Sequence, residues 1–515
     1  MKLLRACTLK QGLIAALVVA PSMASFVCTA QAQARGGKGE GSVSPQSQAQ
    51  QAKPNAKVLQ ARFGSVTLDA NGYPDVKGID SLYDELDYQR ACQAFLWGLP
   101  AVGMEGQHLM QKNFGATGPY DSLLLYGADV VGGMLTPNSS VGYVITVPNL
   151  LETGPLVLEV PEGKIAGILM DYWQRWIGDV GLPGPAKGKS EKVLILGPGQ
   201  EKPEGAEDYR IVRSLTASFL HGSRVLDPKN DIETLPSQIR MYPFADRANP
   251  KPKLVIAKGK TFLMTQPVGM AYWERVNEII QREPVAERDR LIYAMLRPLG
   301  IEKGKPFKPT ARQKKLLEAG ATMGNQMSLV TSFASRDTDS IYRSDAGWRF
   351  PLSVSPTQRQ DGYDELDQRA DYTFEAYGVS PAMKAEKAGV GSGYLSSYRD
   401  KDGKWYDGGQ NYHMVVPPNV PIKDFWEVTI YNLDTRATIV NKSDRSAISS
   451  RTEGVKKNAD GSVDLYFGAT APAGKKSNWI KTNPGEYWFC YFRFYAPTQP
   501  FLDKSWALPD VEKVK

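Results

Sequence analysis

The residues best suited to chemistry in this chain concentrate in one stretch, MDYWQRW at 170–176. Read as a strand, it puts Asp171, Trp173 and Arg175 on one face and Tyr172, Gln174 and Trp176 on the other. An aromatic ring between an acid and a guanidinium can stack a ligand and orient its polar groups, because arginine grips a carboxylate or phosphate bidentately. The same residues equally compose an Asp171–Arg175 ion pair beside core tryptophans, and spacing alone does not separate the two. The stretch runs on into GLPGPAKGKS (181–190), which imitates the end of a phosphate-binding G-x-x-x-x-G-K-[ST] loop. Counting back from Gly188 puts Pro183 where the first glycine is required. The following EKVLILG reads as a strand, not as the helix whose N-terminus would hold a phosphate. No nucleotide site is expected.

Other reactive constellations are sparse. The three histidines, His108, His221 and His413, show no H-x-x-x-H or H-E-x-x-H spacing, and no D-x-[DN]-x-[DN]-G loop occurs. Neither a metal site nor a cofactor is therefore expected. No serine sits in a G-x-S-x-G elbow; Ser392 lies in GVGSGYL instead. A triad can assemble from distant positions, and His413 is the strand-borne candidate base for one, against the alternative of an imidazole packed on a β-face. Trp348, Trp405, Trp426 and Trp479 suit stacking on sugars and suit a hydrophobic core equally well.

The elements that must position these residues follow from periodicity. Residues 81–109 read as a helix, with Ser81 as N-cap and Asp84 and Glu85 in the first turn. A partial echo of its YDEL and RA at 361–377 marks a second helix start, not a duplication, because the flanks differ. Residues 120–266 break into short β-rich runs punctuated by Gly, Pro and Asn, the signature of an antiparallel sandwich or barrel. From 270 to 345 apolar residues recur at helical spacing, with Pro284 and Pro298 as breaks. Strands return after Trp348. The turn signal ADGS (459–462) leads into one of them. In EYWFCYFRFY both alternating faces are apolar, as in a strand buried on both sides.

Bulk properties narrow the class. Lys2, Arg5 and Lys10 precede a short apolar run, Leu13–Ala20, and TAQAQA offers cleavage near Ala32 or Ala34. Residues 1–34 therefore read as a signal peptide, and a periplasmic or secreted product is expected. Residues 35–57, rich in Gly, Ser, Gln, Ala and Pro, read as a disordered leader. No later apolar run is long enough to span a bilayer, so a transmembrane chain is not expected. The net charge of +7 is spread along the chain, which excludes a basic stripe for nucleic acid. Cys92 and Cys490 sit in strongly apolar surroundings and are expected as free buried thiols.

Several phrases taken together resemble a known family. LTPNSSVGYV, GPLVLEVPEG, MDYWQRWIGDVGLPGPAKGKSEKVLILGPG and YRIVRS are similar to the N-terminal part, and GGQNYHMVVPPNVPIKDFWEVTIYNLDTRATIVN with DGSVDLYFGATAPAGKKSNWIKTNPGEYWFCYFRFYAPTQPFLDKSWALPD to the C-terminal part, of the bacterial two-part family of unknown-function domains 1254 and 1214. The resemblance implies a mainly β protein with a helical domain (α+β): a small immunoglobulin-like β domain and a C-terminal jelly-roll-like β-sandwich. The expected divisions are 58–119 (helical entry segment), 120–266 (1254-like β domain), 267–345 (helical domain) and 346–515 (1214-like sandwich). Many relatives carry a PN-x-D-T-x-Y phrase, whereas Asn138 here is followed by Ser139, Ser140 and Val141 before Tyr143. The family assigns no activity. The expectation is a protein that binds a polar or anionic small molecule or a glycan in an inter-domain cleft, with Asp171, Trp173, Arg175, Tyr143, Trp348 and Trp426 as candidate ligand-binding residues. A hydrolase or lyase acting on such a molecule and a structural envelope protein stand as alternatives.

Overall fold

The computed structural model describes residues 58–138, 141–226, 234–384, 387–441 and 445–514, apart from the side chains of 128 and 129. The signal peptide and leader expected at 1–57 lie outside the described residues, as do Ser139 and Ser140. The architecture is α+β and mainly β.

A central helix, Val76–Asn113, anchors the helical part. It starts one turn earlier than its periodicity implies, because Asp75 caps it by accepting from the Gly78 N–H at 2.7 Å. Ser81, expected as the cap, lies inside the helix and donates to the Lys77 carbonyl. The helices Met270–Arg282 and Ala311–Phe333 pack on it. Close approach to Ala311–Phe333 depends on Gly320 and Gly324, where an added Cβ would stand 2.4 Å from Ala91 Cβ and 2.6 Å from Phe95 Cγ. A fourth helix, Leu366–Glu375, follows at the echo of YDEL and RA.

The 1254-like β part is two sheets face to face. The larger runs in the order Leu254–Ile256, Ser122–Leu125, Gly142–Thr146, Phe219–Val225, Ile165–Asp171, Trp176–Gly181, and the smaller Arg240–Pro243, Leu156–Val160, Glu191–Leu196, Arg210–Arg213. Alternation places Val144, Leu169, Val180 and Phe219 of the larger sheet against Leu158, Val193 and Ile195 of the smaller. Two pairings, 122–125 with 254–256 and 191–196 with 210–213, are parallel, so the meander is not purely antiparallel.

The C-terminal part is a second sandwich. Ser392–Ser397, Tyr487–Tyr495, Trp426–Asn432 and Ala447–Ser449 form one sheet, joined by Tyr406–Asp407, and Trp479–Lys481, Val463–Gly468, Asn411–Val416 and Glu512–Val514 form the other. The strand Tyr487–Tyr495 is buried on both faces. Trp488, Cys490, Phe492 and Phe494 enter the sandwich core. Tyr491, Arg493 and Tyr495 point the other way, toward the 1254-like part. Cys92 and Cys490 are free and buried.

One local expectation is corrected. The alternation assumed for 171–175 does not exist, since the strand ends at Asp171 and the chain turns there. Asp171 makes the turn. Its Oδ1 accepts from the N–H groups of Trp173 (2.9 Å) and Arg175 (3.0 Å), while Gln174 takes φ 60°. A short acceptor at this position bends the backbone more cheaply than the strand ladder can hold it straight.

Candidate functional site

The two β parts face each other across a cleft of about 520 Å³. Its floor is one face of the larger 1254-like sheet. Antiparallel register sets Arg224 opposite Tyr143 and Ala166, Gly222 opposite Ile145 and Ile168, and Leu220 opposite Met170. All of these line the cleft. The roof is the outer face of the C-terminal sheet, where Ser392 is paired with Tyr495 and Tyr394 with Arg493. Leu352, Tyr372 and Tyr377 close one side. Leu182, Leu226 and Val390, which are 44%, 37% and 59% exposed, form the rim.

The cleft carries two guanidinium groups in different circumstances. Arg493 is satisfied: it donates to Thr429 Oγ1 at 2.8 Å and the Thr136 carbonyl at 3.0 Å, with Glu427 at 3.6 Å. It thus ties the C-terminal sheet to the 136–138 segment. Asn138 reinforces that tie by donating to the Tyr495 hydroxyl. Arg224 has no carboxylate partner among the described residues. Burial opposes its charge, but the hydroxyls of Tyr394, Tyr143 and Tyr495 beside it more than offset that and hold its pKa above the ordinary arginine value. Asp424, the acid on the cleft wall, is taken by Arg451. At the inner end, Gln107 Oε1 is buried without a hydrogen-bond partner.

Of the residues singled out from sequence, Tyr143 lines this cleft; its hydroxyl accepts from the Asn138 N–H at 3.0 Å. Asp171 and Arg175 form a buried ion pair in the turn, both under 5% exposed, and Trp173 packs on Trp97 with centroids 5.5 Å apart. None of these three lines the cleft. Trp348 is fully buried and donates to the Pro509 carbonyl, and Trp426 stacks on Phe492 inside the sandwich. His413 bonds through Nε2 to Asp464 Oδ1 at 2.9 Å on the far sheet of that sandwich. Sequence reasoning missed Arg224, Tyr394, Arg493 and Tyr495. The available signal was the run Leu220, Gly222, Arg224, which alternates an apolar, an absent and a charged side chain on one strand face.

A group of His, Cys, Asp and Glu able to hold a metal does not occur among the described residues. No helix among them is long and apolar enough to cross a membrane.

Comparison with known proteins adds the following. The model for a protein of unknown function, DUF1254, matches residues 126–243, and that for a protein of unknown function, DUF1214, matches 391–499. No curated protein matches the chain. The solved VPA0106 protein of Vibrio parahaemolyticus is similar at 18% identity with a TM-score of 0.50, covering 83% of this chain and 100% of that one, a likeness of fold alone. A putative uncharacterized protein of Burkholderia cenocepacia aligns over 85% of this chain and 98% of its own at 13% identity, with a TM-score of 0.38.

Proposed function

Since the chain belongs to the two-part family in which a DUF1254 region precedes a DUF1214 region, we propose that it is an exported binding protein whose inter-domain cleft takes a small molecule through an anionic group. The observation that carries this reading is Arg224, a cation in the cleft wall with tyrosine hydroxyls around it and, among the described residues, no carboxylate to neutralise it. Arg224 is part-buried and so reachable from the cleft, and a bound carboxylate or phosphate would supply a counter-charge and bidentate acceptors. The cleft volume falls within the roughly 300–1,000 Å³ of small-molecule sites. Export is supported by the basic and apolar N-terminal segment, and a mature N-terminus just after Ala32 or Ala34, read by mass spectrometry of protein from the periplasm, tests it.

The test of binding is a thermal-shift panel of carboxylates, phosphates and sugar acids, each beside its neutral counterpart, on the chain lacking residues 1–34. A ligand at 100 times its Kd stabilises by about 2.7 kcal/mol. Arg224→Gln, with an unchanged unliganded midpoint, should abolish the shift. An unresponsive panel, or a shift that survives Arg224→Gln, overturns the reading.

A further inference from the structure

The cleft is asymmetric along its length, and the asymmetry narrows the ligand. Arg224 stands two residues inside the rim residue Leu226, with Tyr143, Tyr394 and Tyr495 beside it. Inward from it the floor changes character. Ala166, level with Arg224, has little side chain and Gly222 has none, leaving a trough walled by Ile145 and Ile168 on either side of Gly222, with Leu220 and Met170 beyond. From Arg224 to Leu220 the strand advances about 13 Å at the usual rise per residue. A sugar or a small polyanion would leave that trough unfilled and its own hydroxyls or charges desolvated against aliphatic side chains, which is costly. An alkyl chain of medium length fits the trough, and a negative head fits Arg224, which pairs with no carboxylate among the described residues.

We propose that the cleft binds a medium-chain aliphatic monocarboxylate, its carboxylate held by Arg224 near the rim and its chain lying inward over Gly222. This rests on the anion-binding reading above and narrows it to one class. Arg224 sets the head position through charge-assisted hydrogen bonds, and the tyrosine hydroxyls complete the shell around the carboxylate oxygens. Gly222 sets the chain path, because any side chain there enters the trough. A Cβ on Gly222 would meet the Leu220 side-chain tip at 3.1 Å, so a larger residue there pushes that tip aside and narrows the trough.

Isothermal titration with hexanoate, octanoate and decanoate below their micellar concentrations, beside 1-decanol, citrate and inorganic phosphate, tests the proposal. Affinity should rise about fourfold for each added methylene if the chain is buried. Arg224→Leu should weaken decanoate by about tenfold or more, the worth of a charged hydrogen bond, while leaving 1-decanol at least as well bound. Gly222→Val should weaken decanoate far more than hexanoate. Tyr394→Phe replaces Arg224→Leu should the latter fail to fold, and should weaken decanoate with the chain-length trend intact. Affinity independent of chain length, or decanoate binding untouched by Gly222→Val, overturns the proposal. Citrate or phosphate binding that depends on Arg224, without decanoate binding, overturns it and leaves the anion reading standing. Absence of binding by every anion overturns both.

Discussion

Glu375 ends the Leu366–Glu375 helix in the wall behind the cleft, fully buried, with the Tyr398 hydroxyl 2.9 Å from both of its oxygens. Burial pushes its pKa up to about 8 from 4.5, against the hydrogen bond from Tyr398, which favours the charged form. A carboxyl whose folded pKa is raised contributes stability that is fully present below the unfolded pKa. That contribution is lost as pH climbs toward the folded value. The window here is therefore pH 4.5 to about 8. At about 1.4 kcal/mol per unit, the loss between pH 5 and 8 is on the order of 3 to 4 kcal/mol. Glu375→Gln keeps an acceptor for Tyr398 and cannot ionise, so its stability relative to the parent should rise by that amount across the window. Urea unfolding of both proteins at pH 5, 6.5 and 8 reads the difference directly. Asp179, raised to about 6, acts in the same direction in both proteins, whereas Asp371, raised to about 7, repels the Glu375 carboxylate and so contributes part of the difference. Parallel stability–pH lines for Glu375→Gln and the parent would refute the reasoning, because they would mean that Glu375 is ionised in the fold at neutral pH.

Asp171→Ala removes the acceptor that shapes the 171–175 turn and strands the buried Arg175 guanidinium, with an expected loss of about 3–5 kcal/mol in denaturant unfolding; a loss below about 1 kcal/mol would show that the pair contributes little. Gly324→Ala should lower the thermal midpoint although alanine gains about 1 kcal/mol in helix propensity, since its Cβ would stand 2.6 Å from Phe95; a raised midpoint would show that the two helices can part without cost. Cys92 and Cys490 should resist a thiol reagent in the native chain lacking residues 1–34 and both react in denaturant, with prompt native labelling of either contradicting its burial.

Much of the fold follows from local pattern, and the candidate site does not. The helix at 270–282 repeats apolar residues at a spacing visible in a short window, 76–113 and 311–333 do so only weakly, and the β-rich runs of 120–266 announce themselves by their turn residues. The double burial of EYWFCYFRFY is legible for the same reason, since both of its faces are apolar. The stretch richest in reactive side chains, MDYWQRW, proved the least informative about the cleft. Its acid closes a hairpin with its own neighbours, an outcome that depends on where the strand ends and not on which residues it contains. Conversely, Arg224, Tyr143, Tyr394 and Tyr495 belong to strands of two different domains, and each is unremarkable in its own segment. Local periodicity says which way a side chain leaves its strand, but not what stands opposite. Only the packing of one sheet face over another set Arg224 in a cleft beside three tyrosines, with no carboxylate partner among the described residues, because what stands opposite a side chain is decided by the tertiary arrangement and is not a property of the residue.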